Sequence, residues 1–223
     1  MISVILLTHN YAKYLPECLN SIMKNDNSLI GEIIIINDNS TDNTEEIISK
    51  YQLTNSKIKY FKTKYLSLTK SYNFAVKKSK FEFITKVDAD DMLEKNFLKD
   101  FFGQLKKNEY DFIYGNIKVS DSLGRFKFVK KQKKNFINSF FNYPLGSGTI
   151  FKKKLWQQIG GFDEKIKYQD DYDFWLKINK IKDVKLGYFS NEGYIYRMHD
   201  KNMSKSFFKK NLTKIFVLIN NIL

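Results

Sequence analysis

Three carboxylates within four residues, Asp88, Asp90 and Asp91, stand directly behind the apolar run Phe81 to Ile84, in the stretch Lys86-Val87-Asp88-Ala89-Asp90-Asp91. Phe81, Phe83, Ile84 and Val87 read as a buried strand, and acids gathered where such a strand ends line the carboxyl edge of an α/β sheet, where open sheets take their ligands. Asp88 and Asp90 are two apart, so if the strand continues through them they face the same way. Hard carboxylate oxygens suit Mg²⁺ or Mn²⁺, and one or two are enough when phosphate oxygens and water complete the shell. The chemistry this implies is a divalent metal held against a diphosphate. The same acids equally suit a turn that caps the next helix, with Asp91 or Asn96 as the cap before Phe97, Leu98, Phe101 and Phe102.

Further candidates follow the same rhythm. Thr8-His9-Asn10 comes after a first apolar run, Asp38 after a second, Asp170 and Asp171 open a helix, and His199 follows a late strand. At a helix start the dipole favours the ionised form of Asp171, which keeps it ready to accept a proton but makes it a weak base. Asp170 and Asp171 are also ordinary favourable first-turn acids. His9 suits either packing beside a base or a plain loop, and His199 either a ligand or a hydrogen-bonded structural histidine.

The elements that must position these residues alternate. Ser3 to Leu7 reads as a strand, and Tyr14, Leu15, Cys18, Leu19, Ile22 and Met23 recur at helical spacing. Ile33 to Ile36 gives a second strand, with Ser40, Thr41 and Asp42 as cap residues before a helix carrying Ile47, Ile48 and Tyr51. A third strand lies at Ile58 to Phe61, a helix at Ser71 to Lys78, and the acidic stretch closes a fourth strand. Strands alternating with helices predict a mainly parallel α/β sheet with right-handed crossovers. Beyond it come a helix from Phe97 to Leu105, a hairpin from Ile117 to Val129 turning at Asp121 to Gly124, and a basic loop Lys127 to Lys134. A turn at Pro144 to Gly148, a flexible connection Gly160 to Glu164, a helix begun by Tyr172, Trp175, Leu176 and Ile178, and short strands at Lys185 to Phe189 and Gly193 to Tyr196 follow. A last helix from Phe208 puts Leu212, Ile215, Phe216, Ile219 and Ile222 on one face, for core packing or for a basic amphipathic contact with a membrane.

Length bounds the organisation to one domain, 1–223, with a first half to about residue 115, a second to about 204, and a C-terminal amphipathic helix over 205–223. The chain carries 38 basic against 24 acidic residues, a net charge of +14. That charge is compatible with nucleic acid, an anionic membrane or phosphorylated substrates. Abundant Lys, Asn, Ile, Phe and Tyr throughout also fit AT-rich coding, which inflates lysine without a functional demand. The single cysteine, Cys18, excludes an internal disulfide and a cysteine-built zinc site, and its helical position reads as core. Ile2 to Leu7 is too short for a signal-peptide core or a membrane span, which makes a cytoplasmic location the expectation.

Taken in order, the motifs resemble the family 2 glycosyltransferases of GT-A fold, from Ser3 to about Ser204. Asn37-Asp38-Asn39-Ser40-Thr41-Asp42 is similar to that family's D-D-G-S-T-D segment, and Asp88-Ala89-Asp90-Asp91 to its D-x-D segment. Gly160-Gly161-Phe162-Asp163-Glu164 with Asp170-Asp171-Tyr172-Asp173-Phe174-Trp175 resembles G-G-F-D-E and E-D-Y-D-L-W, and Tyr196-Arg197-Met198-His199 resembles Y-R-x-H. The resemblance implies an inverting transferase that uses Mg²⁺ or Mn²⁺ and a nucleotide-sugar donor, with a glycan or lipid-linked acceptor in surface polysaccharide or lipooligosaccharide assembly. It implies that Thr8 and His9 line the base, Asp38 bonds the base edge, Asp88 accepts from ribose hydroxyls, Asp90 and His199 hold the metal, and Asp171 is the general base. The chain departs from the pattern where Asn37 replaces an acid, Asp170 a glutamate and Tyr72 an arginine, a loss that Lys64 or Lys70 would have to make good. A peripheral position on the inner face of the membrane fits a lipid-linked acceptor.

Two other functional classes share features with this sequence. A non-catalytic basic module on the same fold, for anionic membrane or nucleic acid, draws on the +14 charge and the last helix, yet no aromatic-basic platform for single strands is visible. A nucleotidyltransferase would want a Gly-rich phosphate loop near the amino terminus, and none is present.

Overall fold

The computed structural model describes residues 1–132, 146–167, 169–200, 202, 213 and 217. The helix expected from Phe208 therefore lies outside the described residues except at Thr213 and Val217, as do most of the basic loop's end and Pro144.

The first half alternates as its apolar runs dictate: β1 (Ile2–Thr8), α1 (Leu15–Met23), β2 (Ile30–Asp38), α2 (Thr44–Thr54), β3 (Ile58–Thr63), α3 (Leu68–Lys78) and β4 (Phe83–Asp88). The second half adds β5 (Met92–Leu93), α4 (Phe97–Lys107), β6 (Phe112–Ser120), β7 (Phe126–Lys130), β8 (Ile150–Lys152), α5 (Lys153–Gln158), α6 (Asp170–Ile178) and β9 (Leu186–Arg197). All nine described strands share one sheet, ordered β3-β2-β1-β4-β8-β6-β9-β5, with β7 on β6. The four strands β3, β2, β1 and β4 are parallel, as is the β6 and β9 pair, while β8 runs antiparallel between β4 and β6.

Strand alternation divides the core between the two faces of the sheet. Val4, Leu6, Ile33, Ile35 and Val87 point to a cluster shared with α1, α2 and α4. Ile5, Leu7, Ile34, Ile36 and Ile84 point the other way, into a cluster built on α3, α5 and α6. A parallel strand covered on both sides must be apolar at every position, which is why β1 and β2 read as unbroken runs of Ile, Leu and Val.

Several expectations change in the folded chain. The strand does not continue through the acidic stretch: β4 stops at Asp88, and the Asp91 N–H closes a turn onto the Asp88 carbonyl at 3.0 Å. Asp88 and Asp90 accordingly lose the period-2 alignment expected of them. The two short late strands are one strand, β9, whose partners on β6 jump from Phe189 opposite Gly115 to Glu192 opposite Asn116. The connection at Gly160 to Glu164 is pinned rather than loose. Asn73 accepts from Phe162 N at 2.9 Å and Trp156 Nε1 at 3.1 Å and donates to the Phe162 carbonyl at 2.9 Å. Gly161 is required there, because its φ is +88° and a Cβ would stand 2.8 Å from Asn73 Oδ1.

Candidate active site

Strand order reverses between β1 and β4: connections from β1 lead outward to β2 and β3, then return past β1 to β4. At such a point the loops beyond the two strands diverge and leave a crevice. A cleft of about 910 Å³ opens there, lined by Thr8, His9, Asp38, Asp88, Asp90 and Asp171, with Tyr11, Lys86, Ser147 and Asn202 among their neighbours.

The wall after β1 and β2 is stitched together by Asn10, the last residue of the Thr8-His9-Asn10 stretch. Asn10 adopts a φ of +58°, and its side-chain oxygen accepts from Thr41 N at 2.7 Å while its own N–H donates to Ser40 Oγ at 2.9 Å. His9 Nδ1 lies 2.7 Å from the Asp38 carbonyl, which can only accept, so the proton belongs on Nδ1. Thr8 Oγ1 is buried and has no hydrogen-bond partner among the described residues. An orphaned hydroxyl on a cleft wall is the kind of group a polar ligand satisfies.

Asp38 is saturated. One carboxylate oxygen accepts from Thr63 Oγ1 at 2.9 Å and Tyr65 N at 2.7 Å, and the other from Ser67 N at 3.0 Å and Ser71 Oγ at 3.1 Å. Its two backbone donors flank Leu66, which takes a left-handed φ of +47° with its side chain exposed on the cleft. The carboxylate thus bridges the two amides and holds a conformation that costs an L-residue about 1 kcal/mol or more.

Asp88 and Asp90 diverge into separate networks. Asp88 accepts from Tyr72 Oη at 2.7 Å and Ser147 Oγ at 2.6 Å. Tyr72 is fully buried, so in the place where the resemblance calls for an arginine the chain puts a phenol that orients Asp88. Asp90 Oδ2 lies 2.9 Å from His199 Nε2, and that imidazole is stacked on Tyr14 with centroids 4.8 Å apart. Burial and the nearby Asp88 push the Asp90 carboxyl up. Asp91 is turned inward, accepting from Tyr194 Oη at 2.7 Å and Arg197 N at 2.8 Å. Arg197, itself 2% exposed, donates to the Asp90 carbonyl at 2.9 Å and to Met92 Sδ, and pairs with Glu17. The motif's third aspartate therefore locks β9 onto the turn that presents Asp90.

The donor set of Asp90 and His199 fits a divalent cation. A carboxylate and an imidazole are donors that a divalent cation accepts, and here Asp90 Oδ2 and His199 Nε2 are joined by a hydrogen bond at 2.9 Å, with the Asn202 amide nitrogen 3.4 Å from the first and 3.2 Å from the second. No three His, Cys, Asp or Glu side chains among the described residues converge to hold an ion unaided. The pair suits an ion that completes its shell with phosphate oxygens and water.

Asp171, in the first turn of α6, faces the cleft, with Gly146 N at 3.4 Å from one oxygen and Tyr172 N at 2.9 Å from the other. Burial, together with the Asp170 charge beside it, raises its pKa to about 6 against the pull of Lys86. Desolvation and the like charge of Asp170 act in the direction opposite to the helix dipole. A carboxylate tuned near neutrality is matched to taking a proton from a hydroxyl.

The model of the family described as "Glycosyl transferase family 2" matches residues 3–170. The chain is 28% identical over 215 residues to the O-antigen biosynthesis glycosyltransferase WbnJ of Escherichia coli, covering 92% of this chain and 83% of that protein. It is likewise 28% identical over 213 residues to the poly(ribitol-phosphate) beta-N-acetylglucosaminyltransferase TarS of Staphylococcus aureus, covering 92% of this chain but 37% of TarS. The crystal structure of S. aureus TarS 1–349 in complex with UDP-GlcNAc superposes with a TM-score of 0.75 at 26% identity, over 92% of this chain and 61% of that one. The chain spans 64% of the length of another relative, the glycosyltransferase RT0329 of Rickettsia typhi, at 28% identity over 90% of its own length. The mixed α/β architecture, with its parallel β3-β2-β1-β4 strands, is that of the GT-A structure solved with UDP-GlcNAc.

Proposed function

Because the chain belongs to glycosyl transferase family 2, we propose that it transfers a sugar from a UDP-sugar to a hydroxyl of a glycan or lipid-linked acceptor, inverting the anomeric carbon, in surface polysaccharide assembly. The observation that carries this is the single cleft at the β1 and β4 ends that gathers Thr8, His9, Asp88, Asp90 and a near-neutral Asp171. The likeness to an O-antigen transferase and to a structure solved with UDP-GlcNAc supports the donor and the pathway class.

In this reading Thr8 and His9 face the base, and Asp38 serves that end by holding the Tyr65 to Ser67 loop against it. Asp88 accepts from the ribose hydroxyls, exchanging the Ser147 bond for them. Asp90 and His199 hold Mg²⁺ or Mn²⁺, which when bound stabilises the negative charge that develops on the leaving diphosphate. Asp171 removes the proton of the attacking hydroxyl from the face opposite the diphosphate. No helix among the described residues is long and apolar enough to cross a membrane. A lipid-linked acceptor is met at the inner membrane surface by peripheral contact.

Calorimetric titration with UDP, with and without Mn²⁺, tests the donor site. Metal-dependent binding in the wild type that is lost in Asp90→Ala is expected. Equal UDP binding by the two proteins, or sugar transfer from UDP-GlcNAc that survives Asp171→Asn intact, would refute the reading.

A further inference from the structure

Beneath the carboxylates of α6 lies a buried cation to which no role has yet been given. Lys86 follows Ile84 on β4 and so points to the α3 and α6 face of the sheet, with its side chain 6% exposed. Its ammonium lies 3.4 Å from Asp170 Oδ2 and 3.9 Å from the centroid of the Tyr72 ring. A Cβ on Gly146 would stand 3.0 Å from both Lys86 Nζ and Asp171 Cβ, which places the ammonium on the cleft floor, where the loop crosses Asp171. A buried ammonium is tolerated only when paired, and here Asp170 and the face of Tyr72 share that task.

Building on the reading of Asp171 as the base, we propose that Lys86 is a positioning residue whose ammonium neutralises Asp170 and so fixes the charge environment in which Asp171 exchanges its proton. The two carboxylates are adjacent in sequence and both sit at the cleft. With the ammonium in place they carry one net negative charge between them; without it they carry two in a partly desolvated site, and the pair would keep a proton through neutral pH. The arrangement also sorts their duties. Asp170 is committed to Lys86, which leaves Asp171 as the group free to change its protonation. Among the described residues, the charged and titratable groups around Asp171 are Asp170 and Tyr172 on α6, Lys86 from β4, and Lys130 at the end of β7. Among them, Lys86 is the cation that bonds Asp170.

The test is a titration of the whole chain labelled with carbon-13 at the aspartate carboxyl carbons. The Asp171 resonance is assigned by its disappearance in Asp171→Asn and followed in the wild type, Lys86→Met, Lys86→Arg and Asp170→Asn. The acid limb of kcat/KM for UDP release from UDP-GlcNAc is read in parallel. Lys86→Met is expected to raise the Asp171 midpoint by about one pH unit or more and to carry the acid limb with it, Lys86→Arg to restore both, and Asp170→Asn to lower the midpoint. A midpoint unmoved by Lys86→Met overturns the proposal. Should Lys86→Met fail to fold, an unmoved midpoint in Asp170→Asn overturns it instead. Midpoints that move as expected while UDP release stays flat across pH would support the role of Lys86 and refute Asp171 as the base, so the two readings fail separately.

Discussion

Replacing Asp38 by Asn swaps one oxygen for an amide of the same shape, and the four hydrogen bonds it accepts determine the cost. If the remaining oxygen keeps Thr63 Oγ1 and Tyr65 N, the new NH₂ faces Ser67 N and Ser71 Oγ. The Ser71 hydroxyl can rotate to accept, but the Ser67 N–H cannot, and a donor deprived of its partner in a part-buried site costs about 1–3 kcal/mol. The two retained bonds, to Thr63 Oγ1 and Tyr65 N, go from an ionised to a neutral acceptor and lose about 1 kcal/mol each at most, so the total is about 1–5 kcal/mol. For a chain of this size that is a fall in melting temperature of about 3–15 °C and about 0.5–2 M in the urea midpoint. Amide exchange adds a local readout: Tyr65 and Ser67 should lose protection together, because one carboxylate bridges both and holds Leu66 left-handed between them. A variant within about 0.5 kcal/mol of wild type, with both amides still protected, would refute the account of Asp38 as the support of this loop.

Other outcomes follow from the same geometry. Asp171→Asn should cut transfer by about 10²–10⁴-fold, and in the wild type kcat/KM should fall about tenfold per unit as pH drops below about 6, because a base with a raised pKa is active above that value and silenced by protonation below it. Asp111 shows the opposite sign: burial pushes its carboxyl up, but bonds from Lys152, Lys154 and the Lys185 N–H overcome this and hold it at about 2, against an ordinary 3.8. It therefore contributes about 2 kcal/mol above pH 4 that disappears as pH falls through about 2, and Asp111→Asn should be less stable than wild type at pH 7 but not at pH 2 in urea melts. Gly161→Ala must shift Asn73 Oδ1 from a 2.8 Å approach and leave a positive φ, and thermal melting should report a loss of about 2 kcal/mol or more.

Much of the donor-side half is legible because a parallel strand covered on both faces declares itself as a continuous apolar run, and the loops between such runs collect at one edge. That logic correctly brings Thr8, Asp38 and the acidic stretch to a common cleft. It fails where side chains turn on a single dihedral: nothing in Asp88-Ala89-Asp90-Asp91 says that the strand stops at Asp88 and that Asp91 points inward to Tyr194. Lys86 opens the acidic stretch, but its type and spacing assign it no role. A lysine between Thr85 and Val87 reads as a solvated interruption, yet alternation with Ile84 and Asp88 places it under α6, and only that alternation could have marked it. Asp171 is pushed up by burial beneath residues far away in the chain and by the charge of Asp170 beside it, against the pull of Lys86 from β4, and an argument from the helix end alone sees none of these. Asn10 and Ser147 bond across loops, where spacing carries no signal.

The Asn73 clamp has a consequence for how the chain assembles. Asn73 emerges with the donor-side strands, but the groups its amide needs, on Trp156, Phe162 and Glu164, arrive more than eighty residues later. β4 likewise awaits β8 along its free edge. Closing loops of that length is slow and repays its entropy only at the end. A fragment ending near residue 115 would therefore expose an unpaired edge strand and an unsatisfied amide in α3, and should misassemble rather than persist as a small donor-binding module. Accordingly, α6 and the cleft at the ends of β1 and β4 should become native together, late in folding.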